Sequence, residues 1–512
     1  MGYLLGIDLG TTSVKAILID ENGKTFGLGS EEYPLLIPRA GWAEQDPEKW
    51  WEVVKRVVGT VVGRSGVNGK AISGIGLSGQ MHGLVLVDKN GNALRPCIVW
   101  ADQRSAPQCR WLAERLGRQV LIQNLGNPTN TGFTAPKLLW VKQNENANYK
   151  KVCKILLPKD YIRFKLTGTF ATDFTDASAT LLFDVKRRQW SSQVLSILGV
   201  PGAFMPGIVE SSQISGEVSK PAARELGISP GTPVIGGAGD QEASMVGNGV
   251  VVPGIALSAV GTGGQLTAAT SDFVVDPQLR IHTLCHAVPE SWHVMGAVQS
   301  AGLSLRWFRD NLAQPERLVG KLSKVDPYVL LSEEAKYIPP GSGGLLFLPY
   351  LVGERSPHMD PYARGAFIGL TIQHTKPHMV RALMEGVIFA MKDCLEIFRE
   401  LGIEIKQVRV TGGGAKSSIW RQIQADIYGI EISATNVSEG SAFGAALLAG
   451  VGAGMFRDIH EACDATVSVL ETVSPIREHV EIYEEMYDIY RSLYPALRDQ
   501  FHRMSGYVRN EM

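Results

Sequence analysis

Residues 3–19 read Tyr3-Leu-Leu-Gly-Ile-Asp-Leu-Gly-Thr-Thr-Ser-Val-Lys-Ala-Ile-Leu-Ile19, and the rest of the chain can be organised around them. Tyr3–Ile7 is an apolar run, Asp8-Leu-Gly-Thr-Thr-Ser13 a turn and Val14–Ile19 a second apolar run, which predicts strand, tight turn, strand. Asn22-Gly23 then signals a hairpin into a third strand over Thr25–Tyr33. The layout recurs half a chain later: Ile255–Val260 is apolar, Gly261-Thr-Gly-Gly264 a tight turn, Gln265–Ala269 a second strand. Two such copies predict two related domains, each offering a phosphate-binding hairpin to a shared cleft. Gly247-Asn-Gly249 and Pro253-Gly254 are the clearest punctuation in the chain. They put the expected domains at 1–247 and 254–512.

The hairpin turns carry the first candidate chemistry. Gly10 lets the first turn fold close, Thr11, Thr12 and the turn amides can donate to phosphate oxygens, and Lys15 adds positive charge. Asp8, at the strand end, can hold Mg²⁺ through water. The competing reading is a plain hairpin with a polar turn, although the turn is richer in phosphate ligands than a hairpin requires. Gly261, Thr262 and Gly263 repeat the arrangement. A third glycine stretch, Gly412, Gly413, Gly414 and Ala415, follows a strand at Val408–Val410 and precedes a helix through Tyr428. It can pack backbone against a nucleotide, but it is not a P-loop, since no glycine stands directly before Lys416. Glu439-Gly-Ser-Ala-Phe-Gly444 opens a small-residue helix expected to pack beside that loop.

Candidate groups for the reacting hydroxyl lie elsewhere. A short buried strand, Thr232–Ile235, leads into Gly236-Gly-Ala-Gly-Asp240, whose glycines leave room for something large to approach the backbone. Asp240 has no basic neighbour in sequence. A carboxylate there is placed to take a proton from a bound hydroxyl; alternatively it is the N-cap of a helix Gln241–Val246. A strand at Ile72–Leu77 runs into Ser78-Gly-Gln-Met-His-Gly83, so Met81 and His82 sit on a connection to the strand Leu84–Val87. Cys97–Trp100 ends in Trp100-Ala-Asp-Gln-Arg104, where an aromatic plane and charged groups suit a polyol. The alternative is a surface ion pair beside a core tryptophan. Helices are predicted from Pro47 to Val62, Ala135 to Lys142, Thr375 to Leu401 and Ser474 to Tyr494, and partly across Ser211–Leu226. Tyr161–Lys165 and Ala171–Asp184 read as irregular connection.

Composition excludes several classes. The chain has 512 residues, 45% hydrophobic and 20% charged, with a net charge of −1. There is no basic surplus for neutralising nucleic-acid phosphates. Six scattered cysteines without a C-x-x-C pair argue for reduced thiols in a cytoplasm. The N-terminus lacks a basic region before its short apolar run, so no signal peptide is expected, and no apolar stretch reaches membrane length.

Taken together these stretches resemble the FGGY carbohydrate kinases over nearly the whole chain. The resemblance rests on Asp8-Leu-Gly-Thr-Thr-Ser-Val-Lys15, Ser78–Gly83, Asp102-Gln-Arg104, Phe133–Trp140, Gly239-Asp240, Gly261-Thr262, Tyr350-Leu-Val-Gly-Glu-Arg-Ser-Pro-His358 and Gly412–Lys416. The hairpin alone is shared with actin-like ATPases; the Met-His pair is more specific and is similar to the sugar contact of the xylulokinase branch. The resemblance implies an α/β fold of two ribonuclease-H-like domains around a central cleft, with ATP between them. It implies Asp240 as catalytic base, Asp8 as the acid organising Mg²⁺, and Met81 and His82 as sugar contacts beside Trp100, Asp102 and Gln241. Gln241 stands where many xylulokinases have Asn, and Ala101 and Gly263-Gly264 also depart from the pattern. Gluconokinases of the family carry a Met-His pair as well, so gluconate is the alternative acceptor. A chaperone-like or actin-like ATPase and a sugar sensor are the non-kinase alternatives. The expected partners are a small sugar and ATP, without nucleic acid or membrane, and a homodimer is left open.

Overall fold

The computed structural model describes residues 2–508, so the first residue and the last four of the expected domains lie outside it. Its core is two seven-stranded sheets built on one plan. In the first half, β1 (Tyr3–Leu9), β2 (Ser13–Ile19) and β3 (Thr25–Glu32) form an antiparallel meander, as the two turns dictate. Helix α1 (Pro47–Ser65) is capped by the Asp46 carboxylate on the Glu48 amide and covers this face. β4 (Ile72–Gly79) then joins β1 in parallel. Beyond it come β5 (Ile214–Glu217) and β6 (Pro233–Ile235), giving the order β5-β6-β4-β1-β2-β3, with β7 (Ala238–Gly239) also paired to β4. Helix α2 (Asp240–Gly247) follows directly.

The second half repeats this. β8 (Ile255–Val260) and β9 (Gly264–Thr270) form the second hairpin, flanked by β10 (His282–Cys285) and β11 (Trp292–Val298). After the long helix α3 (Lys376–Glu400), β12 (Gln407–Gly412) adds to β8 in parallel. Helix α4 (Ser418–Tyr428), β13 (Glu431–Thr435), helix α5 (Gly440–Gly452), the edge strand β14 (Val469–Val473) and helix α6 (Arg477–Val508) complete the order β10-β11-β9-β8-β12-β13-β14. Each hairpin is thus extended by parallel strands whose carboxyl ends face the same way as its turn. Among the described residues no helix is long and apolar enough to cross a membrane, and the six cysteines are unpaired.

Two expectations are corrected and one is met. Residues 158–167 form a helix, Pro158–Thr167, and residues 171–184 hold a strand, a short helix and a further strand. The amphipathic signal is hidden because Lys159, Asp160 and Arg163 are buried along with the apolar side chains. Residues 211–226 are partly helical as expected, with a helix over Lys220–Leu226 preceded by β5. Helix α5 does not lie beside the Gly412 loop; it packs on β1, β4 and α2 of the first half. The contact is backbone on backbone. A Cβ on Gly6, Gly76, Gly247 or Gly444 would collide with a carbonyl of Ala442, Ala445, Gly440 or Ala243, respectively. Small residues are required there because any side chain would hold the two halves apart.

Candidate active site

Register assembles the site. Asp8 on β1 and Ala238 on β7 both pair with Ser78 on β4, and Leu9 and Gly239 both pair with Gly79. The ends of β1 and β7 therefore flank β4, with Asp8 and Asp240 at the same edge of the sheet, where ligands bind in open α/β sheets. Asp8 accepts a 2.6 Å hydrogen bond from the Ser78 hydroxyl through Oδ1. Asp240 is the first residue of α2; its N-cap is Gly239, and no side chain caps the helix. The helix-cap role considered from sequence is therefore not the one Asp240 occupies.

Electrostatics separate these carboxylates from ordinary ones. Burial pushes the Asp240 carboxyl well above the usual range, and the negative charges of Asp8, Glu242 and Asp176 push it further. Burial also raises Asp8, against the lowering effect of its Ser78 hydrogen bond and of Lys15. Such a carboxylate holds a proton more readily than a surface one, as suits a general base.

The strand leading into Asp240 is pinned from below by residues whose part in the site is not legible from sequence. The Gly239 amide donates to Thr175 Oγ1 at 2.8 Å, and that hydroxyl donates to Asp173 at 2.6 Å. Asp173, Asp160 and Asp176 surround the Lys159 ammonium at 2.6, 2.8 and 2.9 Å in a fully buried cluster. Burial opposes that ammonium, but the three carboxylates outweigh it and keep Lys159 charged. The Arg163 guanidinium donates to the carbonyl of Gly236. The glycines before Asp240 admit protein rather than ligand. A Cβ on Gly236 would meet the Glu210 carbonyl, one on Gly237 the Leu77 carbonyl, and one on Gly239 Glu242 and Met81.

Met81 thus lies against Gly239, buried with Ala179, Leu284 and Met295. His82 has φ 67°, in the left-handed region that a non-glycine residue seldom adopts. Its Nδ1 stands 2.7 Å from the Ala179 carbonyl. A carbonyl can only accept, so Nδ1 carries the proton, and burial holds the ring neutral by pulling it down to about 3. Nε2 is left as a lone-pair acceptor, which removes the ambiguity of direction that sequence leaves open. The turn is fixed by buried Lys137, which donates to the carbonyls of His82 (3.0 Å) and Gly132 (2.6 Å).

Trp100 is half-buried and donates to Thr11 Oγ1 at 2.9 Å, tying this wall to the first phosphate turn. Asp102 is fully buried; it accepts from the Ala43 amide at 2.6 Å and from Arg104 at 2.7 Å. The pair is internal, not on the surface, and Asp102 shapes the wall instead of facing the opening. Gln241 is half-buried beside Asp240. Across the cleft, Arg355 lies 5.7 Å from the Trp100 ring centroid.

The first turn closes through Gly10 N to Ser13 O (3.0 Å), and Lys15 pairs with Glu439 at 2.6 Å. In the second half, Gly261, Thr262, Gly413 and Gly414 line a cavity of about 590 Å³ with Leu305 and Trp420. Gly412 has φ 81° and runs directly over β8, a conformation that favours glycine. Gly263 and Ala415 flank this lining without being part of it.

Comparison with known proteins bears on this geometry. Residues 3–247 match the N-terminal domain and residues 256–453 the C-terminal domain of the FGGY family of carbohydrate kinases. The chain belongs to the FGGY carbohydrate kinases. As an FGGY kinase it has two ribonuclease-H-like domains, and it uses ATP as phosphoryl donor to a small-molecule sugar. It is 36% identical to a xylulose kinase of Bacillus subtilis over 510 residues, covering all of both chains. It is 32% identical to a gluconokinase of the same organism over 515 residues, covering 99% of this chain and 98% of the other. A crystal structure of a kinase from Brucella ovis described as a xyloylose kinase superposes with a TM-score of 0.89 at 36% identity, over 97% of this FGGY kinase and 100% of that chain.

Proposed function

We propose that this FGGY kinase transfers the γ-phosphoryl group of ATP to the terminal 5-hydroxyl of D-xylulose, giving D-xylulose 5-phosphate for xylose catabolism. The observation carrying the reading is the packing of Met81 against Gly239, beside a His82 whose Nε2 is fixed as an acceptor. A thioether then meets an apolar sugar edge and an imidazole lone pair accepts a hydrogen bond from a sugar hydroxyl, one residue from the base Asp240 and its neighbour Gln241. The xylulose kinases among its relatives support the same acceptor.

In this reading Asp240 takes the proton of the attacking hydroxyl. The amides and hydroxyls of Thr11, Thr12 and Thr262, with Lys15, balance charge developing on the transferred group. Gly412–Ala415 hold the adenosine at the cavity beside Gly261 and Thr262. Asp8 suits a divalent cation: Oδ1 is oriented by Ser78, and Oδ2 faces the Gly10 turn without a hydrogen bond of its own among the described residues. One carboxylate with phosphate oxygens and water is the usual Mg²⁺ environment, and the ion would supply charge neutralisation between phosphate oxygens. Domains at 1–247 and 254–512 would then each contribute one phosphate hairpin.

The test is ADP release, coupled to a chromogenic readout, over xylulose, ribulose, gluconate, glycerol, fuculose and rhamnulose. Xylulose is expected to give the highest kcat/KM; a higher value for gluconate would replace the acceptor with the one named for the gluconokinase relative.

A further inference from the structure

Arg355 lies on a loop that the second domain braces firmly. Glu354 and Asp360 exchange two backbone hydrogen bonds of 2.9 Å. Ser356 N donates to Ala297 O at 3.0 Å, and its hydroxyl donates to Arg280 O at 2.7 Å. The neighbouring Glu354 carboxylate accepts from the Gln299 amide at 2.8 Å and the Arg355 amide at 2.7 Å, so its hydrogen bonds hold the loop backbone and it reaches the guanidinium through charge alone.

The guanidinium instead crosses to the first domain. It stands 5.7 Å from the Trp100 ring centroid, and a terminal nitrogen lies 3.8 Å from where a Cβ on Gly132 would be. Its charge is close enough to depress both His82 and His282. Among the described residues no acceptor hydrogen-bonds its side-chain nitrogens and no carboxylate forms a close ion pair with it; the charge of its neighbour Glu354 acts on it only at longer range. A guanidinium carries five donors in a rigid plane, and this one, half-buried, can turn them to an acceptor entering beside Trp100. The groups around it, Trp100 and the His82 turn, form the wall assigned above to the sugar.

We propose that Arg355 is a sugar-binding residue supplied by the second domain, donating a planar pair of hydrogen bonds to adjacent oxygens of the acceptor and setting the preference among acceptors. The inference rests on the reading of the Met81–His82–Trp100 wall as the sugar site. Two neighbouring oxygens of a ketose satisfy the fork; an aldonate carboxylate satisfies both the fork and the charge. Because the residue comes from the second domain, the sugar contact is completed only when the two domains face each other.

The experiment compares wild type, Arg355→Gln and Arg355→Lys on xylulose, ribulose and gluconate, with ATP KM and melting temperature measured on each. For the sugar that wild type phosphorylates best, Arg355→Gln is expected to raise KM by about tenfold or more, the loss of a hydrogen bond to a charged group. ATP KM should change by less than about twofold, since uniform damage would move both. Arg355→Lys keeps charge without the fork and should fall between the two, recovering gluconate binding more than ketose binding. If the Gln variant does not fold, the Lys variant carries the same KM comparison. An unchanged sugar KM in a folded variant, or an equal rise in ATP KM, overturns the role of Arg355. A wild type that prefers another sugar refutes xylulose and leaves this comparison intact on that sugar. A wild type that phosphorylates none overturns both readings.

Discussion

Lys15 on the first hairpin and Glu439 at the start of α5 form a 2.6 Å ion pair, joining residues from opposite halves of the sequence at the phosphate turn. Lys15 is the cation expected to meet the ATP phosphates, so Glu439 competes with the nucleotide for it. Both side chains are partly exposed, which limits the pair to about 1 kcal/mol or less. Glu439→Gln is therefore expected to lower ATP KM, by no more than about fivefold, and Lys15→Met to raise it. Initial-rate kinetics at saturating sugar check both; a higher ATP KM in Glu439→Gln would mean that the carboxylate orients Lys15 instead of competing for it.

Asp240→Asn is expected to cut kcat by about 10²–10⁴ and to raise the melting temperature at neutral pH. The second effect follows from linkage. A carboxyl whose folded pKa is raised binds its proton more tightly in the folded state, so stability falls as pH rises above the unfolded value, and an amide escapes that loss. A variant that is both nearly as active and no more stable than wild type would remove Asp240 from the reaction.

Glu242 tests the same linkage away from the reacting atoms. Its Oε1 meets His293 Nε2 at 2.7 Å with both side chains buried, and burial pushes the carboxyl up to about 8. The sign is the same: relative to Glu242→Gln, wild type should lose stability as pH climbs from the ordinary carboxylate range through about 8. Melting curves between pH 5 and 9, roughly spanning that window, should converge at the acid end and separate at the alkaline end. Parallel curves would show that Glu242 does not change its protonation on unfolding.

His82→Ala is expected to lower sugar kcat/KM by about tenfold to a hundredfold, the cost of an unmet hydrogen bond in a dry site, with ATP KM little changed. Because Nδ1 also holds Ala179 O, some thermal stability should go with it. Lost stability with intact sugar kinetics would confine the residue to a structural role.

Gly76→Ala places a methyl against the Ala445 carbonyl, and overpacking of this kind costs about 1–3 kcal/mol or more. Differential scanning calorimetry should show a lower melting temperature than for Gly59→Ala, a position with open space around its Cβ.

The hairpins were legible because each is local: apolar runs and a Gly-Thr turn specify strand, turn and strand without reference to the rest of the chain. The helix at Pro158–Thr167 was not, because its Lys159, Asp160 and Arg163 are compensated by Asp173, Asp176 and the Gly236 carbonyl, which a periodicity argument counts as solvent-facing. The glycines before Asp240 were visible, but their reason was not: whether a missing Cβ makes room for ligand or for a neighbouring carbonyl depends on tertiary packing. Arg355 falls within a stretch quoted for the family resemblance, yet nothing local marks it, since Trp100 and His82 reach it only through the fold.

Helix α2 begins at Asp240 and ends at Gly247, where it rests on Gly440 of α5. It is a lever with the base at one tip and the glycine contact at the other, and Ser441 of α5 also grips the Asp240 carbonyl at 2.9 Å. Eight residues of helix span about 12 Å, so a tilt of about 5° displaces a tip by about 1 Å. A misplacement of that size can cost on the order of 100-fold in rate. The aim of the carboxylate is thus set by the fulcrum as much as by the sugar pocket, and a single methyl at Gly247, against Gly440, would act on turnover from the far end of the rod.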